Sequence, residues 1–191
     1  MFPETPAAAA ALTVATRYCS PALLNHSVRA YLWGTHYAAA HGIGFDDELY
    51  YVAALLHDLG LTREFDNHRL AFEDASGHLA WVFGVAAGWP AERAARAEEI
   101  IVLHMRPDVA AAADAESHLL QVATSWDVSG HRPEEFPAET RAEVLARYPR
   151  LDFGAQFLTC FEDQAARKPD SAAGQAVASG IGTRLAANPL G

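Results

Sequence analysis

Lysine is almost missing from this chain: Lys168 is the only one among 14 basic residues, and 24 acidic residues leave a net charge of -10. Phosphate backbones are bound through clustered lysine and arginine, and no basic stripe interleaved with aromatics is present, so nucleic acid is not an expected partner. Cysteine is scarce too. Cys19 and Cys160 lie far apart, offer neither a disulfide framework nor a thiolate zinc site, and fit a reducing compartment. No apolar run is long enough to span a bilayer. The opening Met1-Phe2-Pro3-Glu4-Thr5-Pro6, followed by alanines, lacks the basic start of a secretory signal. These absences together lead us to expect a soluble, cytoplasmic protein without membrane contact.

Strand-like alternation bounded by turn residues is also lacking, and the breakers instead punctuate helical patterns. With 191 residues, 51% of them hydrophobic, the chain can bury one core and is read as a single all-α domain over 1–191. Pro6 suits a first helical turn. Ser20-Pro21 is an N-cap followed by proline at the first helical position, opening a helix that runs to about His41 and stops at Gly42. Asp46-Asp47-Glu48 places negative charge at the start of the next helix, for which Gly60 is the expected stop. Residues 60–71 are irregular and are read as a solvated loop, with a loop over the site as the alternative. Further helices are expected at about 72–87, 90–105, 114–128, 137–148, 152–167 and 171–187.

Within Tyr50-Tyr51-Val52-Ala53-Ala54-Leu55-Leu56-His57-Asp58-Leu59-Gly60-Leu61, a histidine and an aspartate interrupt a helix apolar on nearly every side. An unpaired carboxylate there would cost several kcal/mol (about 2–7 for a buried polar group) or would protonate, so Asp58 needs a strong cationic partner and His57 would share it. A metal ion satisfies both; a structural His-Asp hydrogen bond in the core is the plainer alternative. His26, one helix upstream in Leu23-Leu24-Asn25-His26-Ser27-Val28-Arg29, and Asp127, downstream in Thr124-Ser125-Trp126-Asp127-Val128, interrupt apolar helices in the same way. Side chains from three helices can converge in the core of a bundle, where helical proteins build metal sites.

The order His26, His57-Asp58, Asp127 resembles the HD-domain superfamily of metal-dependent enzymes. That resemblance implies a helical bundle with the metal in its core and His26, His57, Asp58 and Asp127 as ligands. The flanking segments resemble the cyanamide hydratase-like branch. They are Asn25-His26-Ser27 through Tyr31-Leu32-Trp33-Gly34, Ala53 through Thr62, Phe72-Glu73, Leu103-His104, Trp126-Asp127-Val128-Ser129-Gly130 and Tyr148-Pro149-Arg150-Leu151-Asp152-Phe153, and together they cover roughly residues 17–170. The chain departs from the branch after Phe72-Glu73, where Asp74-Ala75-Ser76-Gly77 stands in place of an apolar residue and an acidic-glycine-alanine turn.

Imidazoles and carboxylates suit zinc, iron or manganese, and one divalent ion per chain is expected. Such an ion lowers the pKa of bound water and supports addition of water to a small electrophile. The resemblance thus implies a hydratase or hydrolase (lyase) acting on a small molecule, with a nitrile such as cyanamide, converted to urea, as its sharpest form. Asp58 and Glu73 are the candidate catalytic carboxylates, Glu73 as proton shuttle or substrate contact; an exposed acid at a helix start is its plainer reading. Arg29 and His104 are candidate substrate contacts, although Arg29, on the face of His26, could instead brace Asp58 or Asp127, and His104 could be a core histidine. His78 and His104 occupy places where some HD proteins bind a second metal. His36, His41, His68, His118 and His131 are read as surface, loop or supporting residues. The alternatives are a phosphohydrolase steadied by Arg29, Arg63 or Arg69, and a non-catalytic module stabilised by its metal. The aromatic stretch Tyr148 to Phe161 would permit a helix-packed homo-oligomer.

Overall fold

The computed structural model describes residues 2–107 and 109–190. Its α-helices are α1 (Pro6–Tyr18), α2 (Pro21–His41), α3 (Asp47–Leu56), α4 (Phe72–Ala86), α5 (Ala91–Leu103), α6 (Ala115–Ser129), α7 (Ala138–Arg147), α8 (Phe153–Arg167), α9 (Ala172–Ala178) and α10 (Ile181–Ala186). No strand occurs among the described residues, and the all-α reading holds.

The starts of these helices follow their caps. Thr5, Ser20, Asp46, Asp114 and Ser171 each accept a backbone N–H of the first turn of the helix that follows. α2 begins with Pro21 and ends at Gly42, whose φ of 66° is the left-handed conformation that satisfies the last carbonyls. α3 is buried from Leu49 to Leu56 because α1, α2, α4, α5 and α6 all pack around it. Alanines Ala8, Ala11 and Ala15 let α1 approach closely.

Two apolar clusters result. The larger surrounds α3 and includes Trp33, Trp126 and Phe136, the last two stacked with ring centroids 4.6 Å apart. The smaller is built on α8, where Phe153, Phe157 and Phe161 recur every four residues on one face and pack with Phe72, Ile181 and Leu185. Those three phenylalanines are therefore used inside the chain.

Two local expectations are corrected. α3 ends at Leu56, not at Gly60; His57 and Asp58 form a turn leading into a 3-10 turn over Leu59–Leu61. Gly60 is required by close approach: a Cβ there would stand 2.2 Å from the Phe72 carbonyl oxygen, and its N–H donates to Ser76 Oγ at 2.8 Å. The helix expected over 171–187 is two helices, broken at Gly180, whose φ is 82°. The segment 62–71 is tied to the end of α8. Lys168 Nζ donates to the carbonyls of Asn67 (2.6 Å) and Leu70 (2.8 Å), and Arg167 pairs with Asp66 at 2.7 Å.

Candidate metal centre

His26 projects from the second turn of α2, and His57 and Asp58 from the turn after α3; all three are buried. Their ligand atoms form a small triangle. His26 Nε2 lies 3.2 Å from His57 Nε2 and 3.4 Å from Asp58 Oδ2, and His57 Nε2 lies 3.2 Å from the same oxygen. The other nitrogen of each ring fixes its tautomer. His26 Nδ1 faces Asp127 Oδ2 at 2.7 Å and His57 Nδ1 faces the Ala54 carbonyl at 2.8 Å, so both Nδ1 atoms carry hydrogen and donate it. In the neutral rings, the two Nε2 lone pairs and a carboxylate oxygen then converge with no hydrogen between them.

This arrangement of acceptors fits a cation. Asp58 Oδ2 is buried without a hydrogen-bond partner. The triangle's edges match the spacing of about 3.3 Å between ligands on a tetrahedron with bonds of about 2.0–2.1 Å. The residues fit one divalent ion, held by His26, His57 and Asp58. The same acceptors also attract a proton. Burial alone would lower the His57 pKa, but the carboxylate of Asp58 outweighs it and the pKa is raised. Burial alone would raise Asp58, but His57 and His26 hold it at about 2. Burial keeps His26 neutral.

Asp127, expected as a fourth ligand, lies on the far side of the His26 ring. Its Oδ2 takes the Nδ1–H of His26 and the Arg29 Nη2–H (2.7 Å), while Oδ1 takes Arg29 Nε–H and Trp33 Nε1–H, each at 2.8 Å. Both carboxylate oxygens are thus engaged away from the triad, which is the arrangement by which a carboxylate orients a ligating imidazole. Burial would raise the Asp127 pKa, but the Arg29 guanidinium leads the groups that force it far below the usual carboxylate range. Arg29 is itself enclosed; its remaining nitrogen, Nη1, donates to the carbonyls of Tyr148 (3.1 Å) and Pro149 (3.2 Å). It braces Asp127 and does not face a substrate.

A cavity of about 170 Å³ opens on the triad. His104 forms part of its wall, with its ring centroid 5.0 Å from that of His57. Its Nδ1–H donates to the Ile101 carbonyl, so Nε2 is left as an acceptor. Burial above all, then His57, push its pKa down to about 3. Thr124, Ser125 and Ser129 of α6 add hydroxyls, and Phe157, Phe161 and Ile181 close the wall from the smaller cluster.

The other expected residues fall elsewhere. Glu73 is buried at the start of α4 with Oε2 unpartnered and its pKa raised by burial. It is not part of the cavity wall. His78 is exposed and pairs with Glu98 at 3.5 Å, so it does not join His104 in a second metal cluster. Arg63 lines a separate cavity beside Cys160.

Several residues that serve the site were given no role from sequence, although Trp33, Arg150 and Phe153 stand in the segments that resemble the branch. Trp33 shares the helical face of His26 and Arg29 at i, i+3 and i+7, and that spacing carried a usable signal. Phe153 stacks on His26 with centroids 4.4 Å apart. Arg150 Nη1 and Asn188 Nδ2 (2.9 Å) both donate to the Asp127 carbonyl. No local pattern announces such distant partners.

The HD domain family matches residues 23–142, more than half of the sequence, and the chain belongs to that family. It is also similar to two proteins of Saccharomyces cerevisiae, cyanamide hydratase DDI2 and cyanamide hydratase DDI3. Each is 27% identical over 152 residues, covering 77% of this chain and 67% of the relative.

Proposed function

We propose that this protein is a metal-dependent hydratase that adds water to a small, uncharged nitrile, with cyanamide as the simplest case. The observation that carries the reading is the make-up of the cavity wall. Its reactive end is the triad with His104, most of the remainder is apolar, and among the described residues that line it Arg184 is the only arginine. Arg184 is exposed and donates from Nη1 to the Ser179 carbonyl (2.6 Å). Such a wall suits a neutral molecule better than a phosphate, which is ordinarily clamped by converging guanidinium or ammonium groups. The likeness to the two yeast cyanamide hydratases supports the same choice.

His26, His57 and Asp58 would hold a divalent ion, which would supply a Lewis acid and a water of lowered pKa as nucleophile. The protein supplies the rest. Asp127 holds the His26 ring with Nε2 turned towards His57 and Asp58, and the Ala54 carbonyl holds the His57 ring with Nε2 turned the same way. Arg29 and Arg150 face Asp127, so that its charge does not add to that of Asp58. His104 Nε2 accepts a hydrogen bond from the incoming water or from a substrate N–H. Ser125 Oγ accepts from Gln121 Nε2 at 3.3 Å and has its own hydrogen to donate to the nitrile nitrogen as negative charge develops there. Water gives its oxygen to carbon and both protons to nitrogen; cyanamide becomes urea and no group leaves.

Arg184 favours a second reading, hydrolysis of a phosphate ester whose phosphate reaches the cavity mouth. Elemental analysis with a urea-formation assay on wild type and Asp58→Ala separates the two. About one metal per chain, with urea formation lost in the variant, supports the hydratase. Hydrolysis of phosphate esters without urea formation replaces it with the second reading.

A further inference from the structure

We infer that the preferred substrate is larger than cyanamide: an N-alkyl cyanamide or comparable nitrile whose apolar substituent of about three to five heavy atoms packs against the apolar part of the cavity wall. This inference rests on the hydratase reading and names the substrate class within it. Its first support is volume. An apolar cavity of about 150 Å³ accommodates benzene, a molecule of six heavy atoms. The cavity on the triad measures about 170 Å³, whereas cyanamide has only three heavy atoms and would leave most of it to water.

The second support is chemistry. Beyond the triad, His104, the α6 hydroxyls and the exposed Arg184, the wall is made by Met105, Val128, Phe157, Phe161, Ala176 and Ile181. Those side chains offer ordered water almost no hydrogen bonds, and water is retained in a cavity only where two to four polar partners hold it. An apolar substituent gains by displacing it. The third support is where this wall comes from. The HD family match ends at residue 142, after the elements that carry the triad. Phe157 and Phe161 on α8, Ala176 on α9 and Ile181 on α10 all lie beyond it. The elements shared with the family hold the reactive end, and the C-terminal helices of this chain shape the space for the substituent.

The test compares kcat/KM for N-butylcyanamide and cyanamide on the metal-loaded protein, with Ala176→Leu as a variant that enlarges an apolar wall residue and narrows the cavity. We expect wild type to favour N-butylcyanamide by about tenfold or more, the scale on which a hydrophobic pocket discriminates one or a few methylenes. Ala176→Leu should move that ratio towards cyanamide by a similar factor. Calorimetry with the product, N-butylurea, adds a readout independent of turnover: binding with a negative heat-capacity change is expected, the mark of apolar burial. A wild-type preference for cyanamide, with no such signature for N-butylurea, overturns the substrate class and leaves the hydratase reading standing. Hydration of neither nitrile by protein carrying its metal overturns that reading and this inference together. The wild-type ratio and the calorimetry decide the matter even if Ala176→Leu folds poorly.

Discussion

Asp127 shows how much one buried carboxylate can organise. It turns His26, satisfies Arg29 and Trp33, and lends its carbonyl to Arg150 and Asn188. Asp127→Asn should weaken metal binding about 10–100-fold by releasing the His26 ring. It should also cost about 3–5 kcal/mol of stability, because it leaves buried guanidinium charge uncompensated. Chelator competition and urea denaturation of the same variant read the two effects separately. His57→Ala and Asp58→Ala remove ligands and should abolish metal retention; elemental analysis showing full occupancy in either would remove them from the centre. Much of this was legible in the sequence. A histidine and an aspartate in an apolar run declare that something pays for their burial, and Arg29 one turn from His26 pointed to bracing. What the sequence could not give was distance, so a carboxylate that orients a ligand and one that is a ligand looked alike at Asp127.

At the scale of the elements, caps and breakers were read with most success, since Ser20-Pro21, Gly42 and Asp46 act within one turn of themselves. Gly60 was misread for a physical reason: a left-handed helix stop and a close backbone approach both select glycine, and only the fold distinguishes them. Gly60→Ala should push α4 away from the His57-Asp58 turn and destabilise the protein by about 1–3 kcal/mol, the usual cost of overpacking. It should also loosen the metal. Gly180→Ala, where φ is 82° and nothing lies within 4 Å of an added Cβ, should cost only about 1 kcal/mol and leave metal affinity alone. Denaturation and metal titration of the two variants test that contrast. The break at Gly180 was missed because alanine-rich sequence on both sides reads as continuous helix.

For the molecule as a whole, metal and proton compete for one site, and the sign of the competition can be worked out. In the metal-free protein the folded-state pKa of His57 is raised. Its contribution to stability is present below the unfolded value of about 6.5 and is lost as pH rises through the folded value. The Asp58 carboxyl is held at about 2, so its contribution is present above about 4 and is lost as pH falls towards 2. Metal binding needs the neutral imidazole and strengthens as the same proton leaves. The gap in Tm between metal-loaded and chelator-treated protein should therefore widen from pH 6 to pH 8; a gap that narrows over that range would contradict the assignment of His57. The site is also a late product of the chain. Asp127 meets His26 across 101 residues, and its carbonyl is closed by Asn188, a further 61 residues on. A ribosome must therefore release residue 188 before the Asp127 carbonyl gains its last donor, and metal loading is expected to follow the docking of the C-terminal helices.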